Sequence, residues 1–543
     1  MKHIYVLPNM TDYEEERRNF SLVVPPLFSF PLDVFDKWGD NLALFWTDGE
    51  RQIKLTFKDL KVSSSKGAGA LKKLGIKRYD KVLLMLPNIP EWWEIMLSIM
   101  RINAIPIPAT TLLTPEDILY RLTATDIKAV ITTEKEAQKV EDALRNLPNY
   151  EVLLLLIGKR NGWHDYISEK ERADAFEGER TYSHDPALIY FTSGTTGPPK
   201  MVLHTHASYP LAHIITGKYW LDLKEGDLHW NISDTGWAKA AWSSLFGPWH
   251  MGATIFSYYR KGRFDPHMIV ETLERYPITT FCGPPTAYRM IAKEISLEGV
   301  RFRAMRHFVA AGEPLNKEII EIWKQKTGMY IYDGYGQTET VNILANFRCL
   351  PVRPGSMGVP LPGFNVDVID EKGNIVDPYV EGEIAIRVVP DRPVGLFKEY
   401  LNNPDATKKC FRGHWYVTGD KAYKDGDGYF WFIGRADDII LTSGYRIGPF
   451  EIESILIKHP AVKESAVVAS PDELRGEVVK AFIVLTDGYK PSDELKKELQ
   501  EFVKSNTAPY KYPRKIDFVN ELPKTISGKI KRRELKIMEF KNR

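Results

Sequence analysis

Apolar and polar positions alternate with two different periods along the first half of the chain. Residues 81–86 form a continuous apolar run that ends at Pro87, which predicts a buried strand. Residues 90–103 carry apolar side chains at helical spacing, and residues 104–108 and 129–132 return to extended patterns. This strand–helix–strand order predicts layered α/β subdomains from about residue 57 onward.

A second pattern begins near residue 362. Apolar residues alternate within 366–369 and 384–386, on either side of a Gly-Asn turn, and this predicts a smaller β-rich subdomain. Residues 425–428, Asp-Gly-Asp-Gly, lie between two aromatic extended runs and predict a hairpin. After the charged junction at 434–438 the chain is rich in Lys and Glu. We therefore expect one domain over residues 1–435 and a small α+β domain over residues 436–543.

Composition indicates an ordinary globular protein. The 543 residues are 43% apolar and 27% charged, and 73 basic against 71 acidic side chains leave a net charge of +2. This balance of charge does not indicate a surface that binds nucleic acid. The longest apolar stretch, near residues 92–108, is broken by Glu94, Arg101 and Asn103, so we expect no membrane span.

The cysteines and the first residues bear on location. Cys282, Cys349 and Cys410 are far apart in sequence and lack Cys-x-x-Cys spacing, which favours free thiols without a metal site. Residues 1–20 carry several acidic side chains and no apolar run, which argues against a targeting peptide. We expect a cytoplasmic protein, and the composition leaves a homodimer open.

The loop after the apolar run 187–191 combines hydroxyls, glycines and one cation. Glycines let backbone N–H groups turn inward, hydroxyls add donors, and a lysine adds charge, so the loop predicts a grip for the phosphates of ATP. It does not fit the Gly-x-x-x-x-Gly-Lys-Ser/Thr pattern, and a polar surface turn is the alternative. The loop residues are Thr192, Ser193, Gly194, Thr195, Thr196, Gly197 and Lys200.

This loop and four later segments resemble, in order, the signatures of adenylate-forming enzymes. That family includes acyl-CoA synthetases, luciferases and the adenylation modules of peptide synthetases. Within it, residues 233–237 and 443–449 are most similar to medium-chain acyl-CoA synthetases. The four segments are Asp333–Glu339, Tyr416–Asp420, Gly434–Asp438 and Pro523–Lys529.

The resemblance implies an AMP-forming acid:CoA ligase with a large N-terminal domain and a mobile C-terminal one. A carboxylic acid reacts with ATP, assisted by magnesium, to give acyl-AMP and pyrophosphate, and the acyl group then passes to coenzyme A. Enzymes of this fold that act on an aromatic acid or use another acceptor are the alternative. A non-catalytic protein that binds nucleotide or nucleic acid through the loop and the basic tail is an alternative of a different class.

The resemblance also assigns a nucleotide site. Glu339 matches the magnesium ligand, Thr338 the hydroxyl at the α-phosphate, and Tyr335 the ring that stacks on adenine opposite residues 312–314. Each of these has a plain alternative as a surface acid or a packing residue. The remaining positions of this part of the site are Gly312, Glu313, Pro314, Asp333, Gly334, Gly336 and Gln337.

Further nucleotide contacts come from the second half of the chain. Asp420 matches the carboxylate that holds the ribose hydroxyls, although a turn aspartate is the alternative. Arg435 matches a second nucleotide contact, and Arg446 a residue near the phosphate. Lys529 matches the lysine that bridges the attacking carboxylate and the α-phosphate; the alternative is a solvated basic tail.

The resemblance places the thiol step on another face of the C-terminal domain. Members of the family rotate this domain about a residue that matches Asp437. Gly444 then lets the pantetheine arm pass close to the backbone, with Tyr445 beside it. Lys504 matches a basic contact to coenzyme A, and a solvated helix lysine is the alternative reading.

The residues that match the family's acyl pocket indicate the size of acid that is activated. Where enzymes restricted to acetate carry Trp, this chain has Gly336, which leaves the floor open to medium-chain or branched acids. Ala311 is also small, and Trp237, Trp242 and Cys282 form apolar walls; core packing is the alternative for both tryptophans. Lys239 matches a position that lies near the acyl group in the family. A lysine buried there needs a partner or a lowered pKa, so Lys239 pairs with an acid that the sequence does not identify or favours a substrate with a polar substituent.

Overall fold

The computed structural model of the chain describes residues 6–192, 198–260, 262, 264–442, 445–472, 476–507, 511–525 and 529–541. These residues pack into two compact units. The first comprises the described residues up to Phe364 together with Asp391–Lys408, and the second comprises Asn365–Pro390 and the described residues from Lys409 onward. The α/β class is confirmed. The domain boundary expected between residues 435 and 436 falls inside the second unit and stays a prediction.

The strands include the predicted extended runs at 81–86, 104–108 and 129–132. In chain order they are β1 (Leu27–Phe28), β2 (Leu42–Thr47), β3 (Gln52–Thr56), β4 (Lys81–Met85), β5 (Ile105–Pro108), β6 (Ile127–Thr133), β7 (Leu153–Ile157), β8 (His164–Asp165), β9 (Thr181–Tyr182), β10 (Pro186–Thr192), β11 (Lys200–Thr205), β12 (Leu228–Asn231), β13 (Thr254–Tyr258), β14 (Thr280–Gly283), β15 (His307–Ala311), β16 (Ile331–Gly336), β17 (Asn342–Ala345), β18 (Val359–Pro360), β19 (Val366–Ile369), β20 (Gly382–Arg387), β21 (Glu399–Tyr400), β22 (Phe411–Arg412), β23 (Trp415–Lys424), β24 (Phe430–Arg435), β25 (Ile440–Thr442), β26 (Tyr445–Ile447), β27 (Val462–Asp472), β28 (Gly476–Leu485) and β29 (Lys515–Phe518).

Helices connect most of these strands. They are α1 (Tyr13–Asn19), α2 (Phe30–Asp33), α3 (Phe57–Lys73), α4 (Pro90–Arg101), α5 (Pro115–Ala124), α6 (Glu134–Leu144), α7 (Tyr166–Glu171), α8 (His213–Ile215), α9 (Ala238–Ala241), α10 (Gly247–His250), α11 (Pro266–Arg275), α12 (Pro285–Glu294), α13 (Lys317–Thr327), α14 (Pro404–Lys409), α15 (Pro449–Leu456), α16 (Asp493–Asn506) and α17 (Arg532–Lys541).

The first unit is built on two large sheets. One has the order β18-β17-β16-β15-β14-β12-β13-β2-β3, and its strands from β16 to β2 run parallel. The other, β5-β4-β6-β7-β8, is parallel throughout. A small antiparallel sheet, β10-β11-β21, also belongs to this unit. Parallel strands need helical crossovers, which is why the chain alternates as the sequence predicts.

Helix α4 shows why the apolar pattern of residues 90–103 is so dense. Proline at its first turn supplies no N–H, so the helix begins there at no cost in hydrogen bonds. Every residue from Trp92 to Arg101 is buried. A helix that is apolar on nearly all sides is buried on all sides, and α4 packs against α3, which begins with a capping box between Thr56 and Asp59.

The second unit contains two smaller sheets. The predicted β-rich subdomain is confirmed as β19-β20-β23-β22, with β24 also paired to β23. Residues 425–428 connect β23 and β24, an antiparallel pair, so the predicted hairpin is confirmed too. The other sheet, β26-β25-β28-β27 with β29, packs its apolar face against α15 and α16. Within the described residues, no helix combines the length and apolar content that crossing a bilayer requires.

Arg101 is a charged residue with no exposed surface in the first unit. The guanidinium of Arg101, at the end of α4, donates to both carboxylate oxygens of Asp36, at 3.1 and 2.7 Å. It also donates to Ser64 Oγ at 2.9 Å and to the Glu177 carbonyl at 2.6 Å. A buried cation persists only where its donors are satisfied in this way.

We expect Arg101→Met to lower the free energy of unfolding by about 3–5 kcal/mol, because the Asp36 carboxylate, only 10% exposed, loses the guanidinium that donates to both its oxygens. Lys61→Met is the matched control. Lys61 Nζ lies 3.9 Å from the same carboxylate but is 40% exposed, so its loss should cost no more than about 1 kcal/mol. Denaturant unfolding of both variants checks this, and equal losses would contradict the assignment.

Candidate active site

The predicted phosphate loop joins two paired strands. β10 and β11 run antiparallel, with Thr192 opposite Lys200. Thr192 Oγ1 donates to the Lys200 carbonyl at 3.5 Å. Both ends of the loop are therefore fixed to one hairpin. The loop residues between them, Ser193, Gly194, Thr195, Thr196 and Gly197, lie outside the described residues.

A tight turn between β16 and β17 carries Thr338 and Glu339. The Gln337 N–H donates to Thr340 Oγ1 at 3.0 Å, and the Thr340 N–H donates to the Gln337 carbonyl at 3.2 Å. These two bonds close the turn around its central residues. The turn follows the carboxyl end of a parallel strand, where open α/β sheets bind ligands.

His204 attaches this turn to β11. Its Nε2 donates to the Thr338 carbonyl at 2.7 Å, and its Nδ1 lies 3.0 Å from Ser208 Oγ. A carbonyl oxygen only accepts, so the proton of the neutral ring is on Nε2. Burial lowers the pKa of His204 to about 4, although the bond to Thr338 opposes that shift. The ring is therefore neutral near pH 7.

Tyr400 links the turn to Lys200. Its hydroxyl donates to Glu339 Oε1 at 2.6 Å, and Lys200 Nζ lies 4.8 Å from the centre of its ring. The Phe397 N–H also donates to the Glu339 carbonyl at 2.7 Å. Sequence reasoning missed Tyr400, because the two-residue strand β21 is too short to give a pattern.

Two of the predicted acyl residues, Lys239 and Ala311, meet at the carboxyl edge of the large parallel sheet. Register places Ala310 opposite Asp333 and Ala311 opposite Gly334. Lys239 Nζ donates to the Ala311 carbonyl at 3.0 Å. Burial raises the pKa of Asp333 well above its usual range, and the nearby charge of Lys239 acts in the opposite direction. Asp333 is thus an acid near Lys239, which the sequence could not identify.

The walls predicted for the acyl pocket lie in the same region. The rings of Trp242 and Trp220 are 5.5 Å apart, and Trp220 packs where a side chain on Gly334 would point. Cys282 is fully buried at the end of β14, and burial raises the pKa of its thiol. Trp237 is half-buried just before α9.

The neighbouring backbone leaves no room for a side chain at Gly336. It lies at an irregularity in the pairing of β16 with β17. A Cβ there would lie 2.6 Å from the Val341 carbonyl oxygen, closer than such atoms pack. Any side chain would have to displace β17. That Gly336 also opens the floor of the acyl pocket stays a prediction.

The predicted adenine wall at residues 312–314 follows β15. Gly312 has φ of +102°, a conformation that glycine adopts without strain. Glu313 Oε2 accepts from Thr286 Oγ1 at 2.8 Å and from Arg289 Nη2 at 2.9 Å, which holds the segment against α12. Tyr335 is half-buried on β16. Pro314 completes the segment, and its stacking role with that tyrosine stays a prediction.

In the second unit, Asp420 and Arg435 lie opposite each other on β23 and β24. Arg435 Nη1 is 3.5 Å from Asp420 Oδ1, and the Asp420 side chain is 7% exposed. The Asp420 N–H also donates to Thr418 Oγ1 at 3.2 Å. The pair is a pre-formed carboxylate and guanidinium in the positions predicted for nucleotide contacts.

Lys529 lies at the end of a short loop before α17. The Thr525 N–H donates to the Lys529 carbonyl at 2.7 Å, and the Lys529 N–H donates to Thr525 Oγ1 at 3.1 Å. Three residues later, Arg532 binds both carboxylate oxygens of Glu453, at 3.0 and 2.6 Å. The loop is thus held at both ends, and the Lys529 side chain is exposed.

The hinge and coenzyme A residues predicted for the second unit are described only in part. Asp437 lies in the short 3₁₀ helix Ala436–Asp438. Lys504 pairs with Glu501 at 2.5 Å and lies over the Tyr512 ring, as a solvated helix lysine does. Gly444 lies outside the described residues, and so do the side chains of Tyr445 and Arg446.

All three cysteines are free thiols, as predicted, although Cys349 and Cys410 are only half-buried. Within the described residues, no cluster of three or more His, Cys, Asp or Glu side chains could hold a metal ion by itself. Among these residues, Glu339 therefore offers a single carboxylate, held by the Tyr400 hydroxyl, rather than part of a cluster of ligands.

Two acyl-coenzyme A synthetases are similar to this chain over nearly their whole length. The acyl-coenzyme A synthetase ACSM3, mitochondrial, of Rattus norvegicus is 49% identical over 98% of this chain and 94% of its own length. The acyl-coenzyme A synthetase ACSM4, mitochondrial, of Homo sapiens is 47% identical over 96% of this chain and 92% of its own length.

Solved structures agree as well. The anthranilate CoA ligase AuaEII in complex with anthranoyl-AMP has a TM-score of 0.87 at 29% identity, over 96% of this chain and 98% of its own. A benzoate CoA ligase from Burkholderia xenovorans LB400 has a TM-score of 0.83 at 30% identity, over 94% of this chain and 100% of its own. These likenesses confirm the predicted fold class.

Two family domains match the chain directly. Residues 33–401 match the AMP-binding enzyme domain, and residues 451–529 match the AMP-binding enzyme C-terminal domain. Together with the relatives, these matches confirm the resemblance read from the motifs: the chain belongs to the AMP-binding enzyme family.

Proposed function

We propose that the chain is an AMP-forming acid:CoA ligase that activates a medium-chain or branched carboxylic acid. The observation that carries the proposal lies in the first unit. There, β11 and Tyr400 bring Lys200 together with the turn that holds Thr338 and Glu339. Relatives that are 47–49% identical over nearly the whole chain carry the name acyl-coenzyme A synthetase, in agreement with the predicted class of enzyme.

The first half-reaction requires positioning and neutralisation of charge. The acid's carboxylate oxygen attacks the α-phosphorus of ATP, a new O–P bond forms, and pyrophosphate leaves. Lys200 and the loop would neutralise the β- and γ-phosphates, and Thr338 would bind the α-phosphate. In the second half-reaction the thiolate of coenzyme A attacks the acyl carbonyl, and AMP leaves with the electron pair of the broken C–O bond.

The described residues fit a magnesium ion that arrives with ATP. Magnesium prefers one or two carboxylates together with substrate phosphate oxygens and water to an all-protein cage. Glu339 supplies one carboxylate, and Thr338 beside it adds a hydroxyl. When bound, the ion would offset the negative charge of the phosphates.

The second unit would complete the nucleotide site and supply the thiol face. Asp420 would accept from the ribose hydroxyls, with Arg435 beside it, and Lys529 would offset charge at the α-phosphate. We propose that residues 436–543 rotate about Asp437 between the two half-reactions. Gly444 and Tyr445 would then pass the pantetheine arm, with Arg446 near the phosphate and Lys504 at the periphery.

The choice of acid rests on the edge of the parallel sheet. Trp237, Trp242, Cys282 and Ala311 would line an apolar pocket for a medium-chain or branched tail, and Lys239 is held there by the Ala311 carbonyl. The names of two similar structures specify anthranilate and benzoate ligases. An aromatic acid is therefore the second candidate.

Location and assembly stay predictions. The cytoplasmic location expected above remains a prediction, whereas the names of both relatives place those proteins in mitochondria. A homodimer remains a prediction that sedimentation or light scattering would test.

The chain-length preference is the first prediction from this proposal. Across unbranched acids from C2 to C12, branched acids and aromatic acids, kcat/KM should be highest for medium-chain or branched acids and at least tenfold lower for acetate. The reason is that each buried CH₂ contributes about 0.8 kcal/mol. Pyrophosphate release measures it. A maximum at benzoate or anthranilate would favour the aromatic alternative instead.

Asp420→Ala should raise the KM for ATP at least tenfold and leave the KM for coenzyme A within about twofold. A carboxylate that accepts from ribose hydroxyls contributes on the order of 1.5–3 kcal/mol. Asp427→Ala, an exposed position on the turn of the same hairpin, is the matched control and should behave as the native enzyme. Steady-state kinetics of both variants decide, and an unchanged ATP dependence in Asp420→Ala would make Asp420 a structural residue only.

Lys529→Ala should separate the half-reactions. Removal of one electrostatic stabiliser of a transition state costs roughly 10²–10³-fold in rate, so ATP–pyrophosphate exchange should fall by that factor. Thioester formation from synthetic acyl-AMP should stay within a few-fold. Lys531→Ala is the control from the same basic run, since Lys531 Nζ pairs with Glu534 at 3.5 Å on the surface. Equal loss of both activities in Lys529→Ala would rule out the two-face scheme.

A further inference from the structure

Tyr400 is a buried side chain that contacts two charged groups. It is 6% exposed. Its hydroxyl lies 2.6 Å from Glu339 Oε1, and its ring faces Lys200 Nζ at 4.8 Å. One tyrosine therefore contacts both the proposed magnesium ligand and the proposed phosphate cation.

The hydroxyl contact fixes the carboxylate. A carboxylate only accepts, so the phenol O–H donates, and bonds of this kind to a charged acceptor are short and strong. The bond occupies one lone pair of Oε1 and leaves Oε2 to face other partners. Because the Phe397 N–H holds the Glu339 carbonyl as well, both the backbone and the side chain of Glu339 have set positions.

The ring contact positions the lysine. The face of an aromatic ring carries negative electrostatic potential and attracts a cation at this distance. Lys200 begins β11, and its side chain is long and flexible, so a ring beside it limits the conformations available before ATP binds. A contact that is already formed costs no ordering when the ligand arrives.

The backbone explains why Tyr400 points where it does. β21 pairs with β11, and Val202 stands opposite Tyr400. The Tyr400 N–H donates to Thr407 Oγ1 at 2.9 Å, and the Lys398 N–H donates to the Leu203 carbonyl at 2.8 Å. The strand that carries Lys200 thus also sets the place of the ring that contacts it.

We propose that Tyr400 is a positioning residue: its hydroxyl orients the Glu339 carboxylate for the magnesium ion of MgATP, and its ring holds Lys200 for the phosphates. This inference rests on the proposed function of Glu339 and Lys200. Groups that hydrogen-bond to a metal ligand typically change metal affinity by 10- to 100-fold when removed.

Two substitutions separate the two contacts. Tyr400→Phe removes the hydroxyl and keeps the ring, whereas Tyr400→Leu removes both. Calorimetry of the full chain with ATP, without any carboxylic acid, gives the affinity with excess EDTA and with saturating magnesium. The ratio of the two affinities is the magnesium gain, a binding measurement that does not depend on turnover.

Tyr400→Phe should lower the magnesium gain about tenfold or more while the affinity for ATP in EDTA stays within twofold. Tyr400→Leu should in addition weaken binding of ATP in EDTA several-fold, because Lys200 loses its ring. Tyr150→Phe is the matched control. It removes a tyrosine hydroxyl that donates to the Ile127 carbonyl at 3.0 Å, and both affinities should remain native.

Glu339→Gln distinguishes failure of the inference from failure of the proposed function. If Glu339→Gln keeps the full magnesium gain, Glu339 is not the ligand. The proposed function of Glu339 and the inference about Tyr400 are then both overturned. If Glu339→Gln loses the gain but Tyr400→Phe keeps it, only the inference about the Tyr400 hydroxyl is overturned. If Tyr400→Leu binds ATP in EDTA as tightly as Tyr400→Phe does, the part about Lys200 is overturned. Circular dichroism and thermal unfolding confirm that each variant is folded.

Discussion

The hydrogen bond from His204 to the Thr338 carbonyl is the contact on which the candidate site of the first unit depends. It joins the small antiparallel sheet to the turn at the end of the large parallel one. Nε2 is the donor because a carbonyl oxygen only accepts, and burial keeps the ring neutral near pH 7. Lys200, four residues earlier on the same strand, therefore has a fixed relation to Thr338 and Glu339.

Sequence reasoning succeeded where a pattern is long or a turn has distinctive chemistry. The apolar runs at residues 81–86 and 90–103 predicted β4 and α4, and the Asp-Gly-Asp-Gly turn predicted the hairpin of β23 and β24. Ordered motifs predicted the family. They did so because a site for a polyphosphate needs glycines, hydroxyls and cations at fixed places along the chain, so the chemistry leaves a linear trace.

The contacts that orient those residues are not visible as a motif in the sequence. Tyr400 is separated by 61 positions from Glu339. The acid near Lys239 on α9 is Asp333, which lies on β16 almost a hundred residues later. Gly336 illustrates a different limit: its lack of a side chain suits an open pocket, but the approach of the Val341 carbonyl is a sufficient cause. Long-range pairing, and the distinction between two reasons for one residue, require coordinates.

The chain leaves the first unit after Phe364, returns for Asp391–Lys408, and leaves again. That returning segment contributes β21, the edge strand beside β11. A fragment that ends at Phe364 would carry every strand of the two large sheets but would expose the edge of β11 and lack the ring beside Lys200. During synthesis, this unit reaches its final form only after residue 400 has left the ribosome, when β19 and β20 of the second unit's first sheet have already been made. Isolating the first unit by truncation therefore calls for a loop replacing Asn365–Pro390 rather than a stop codon.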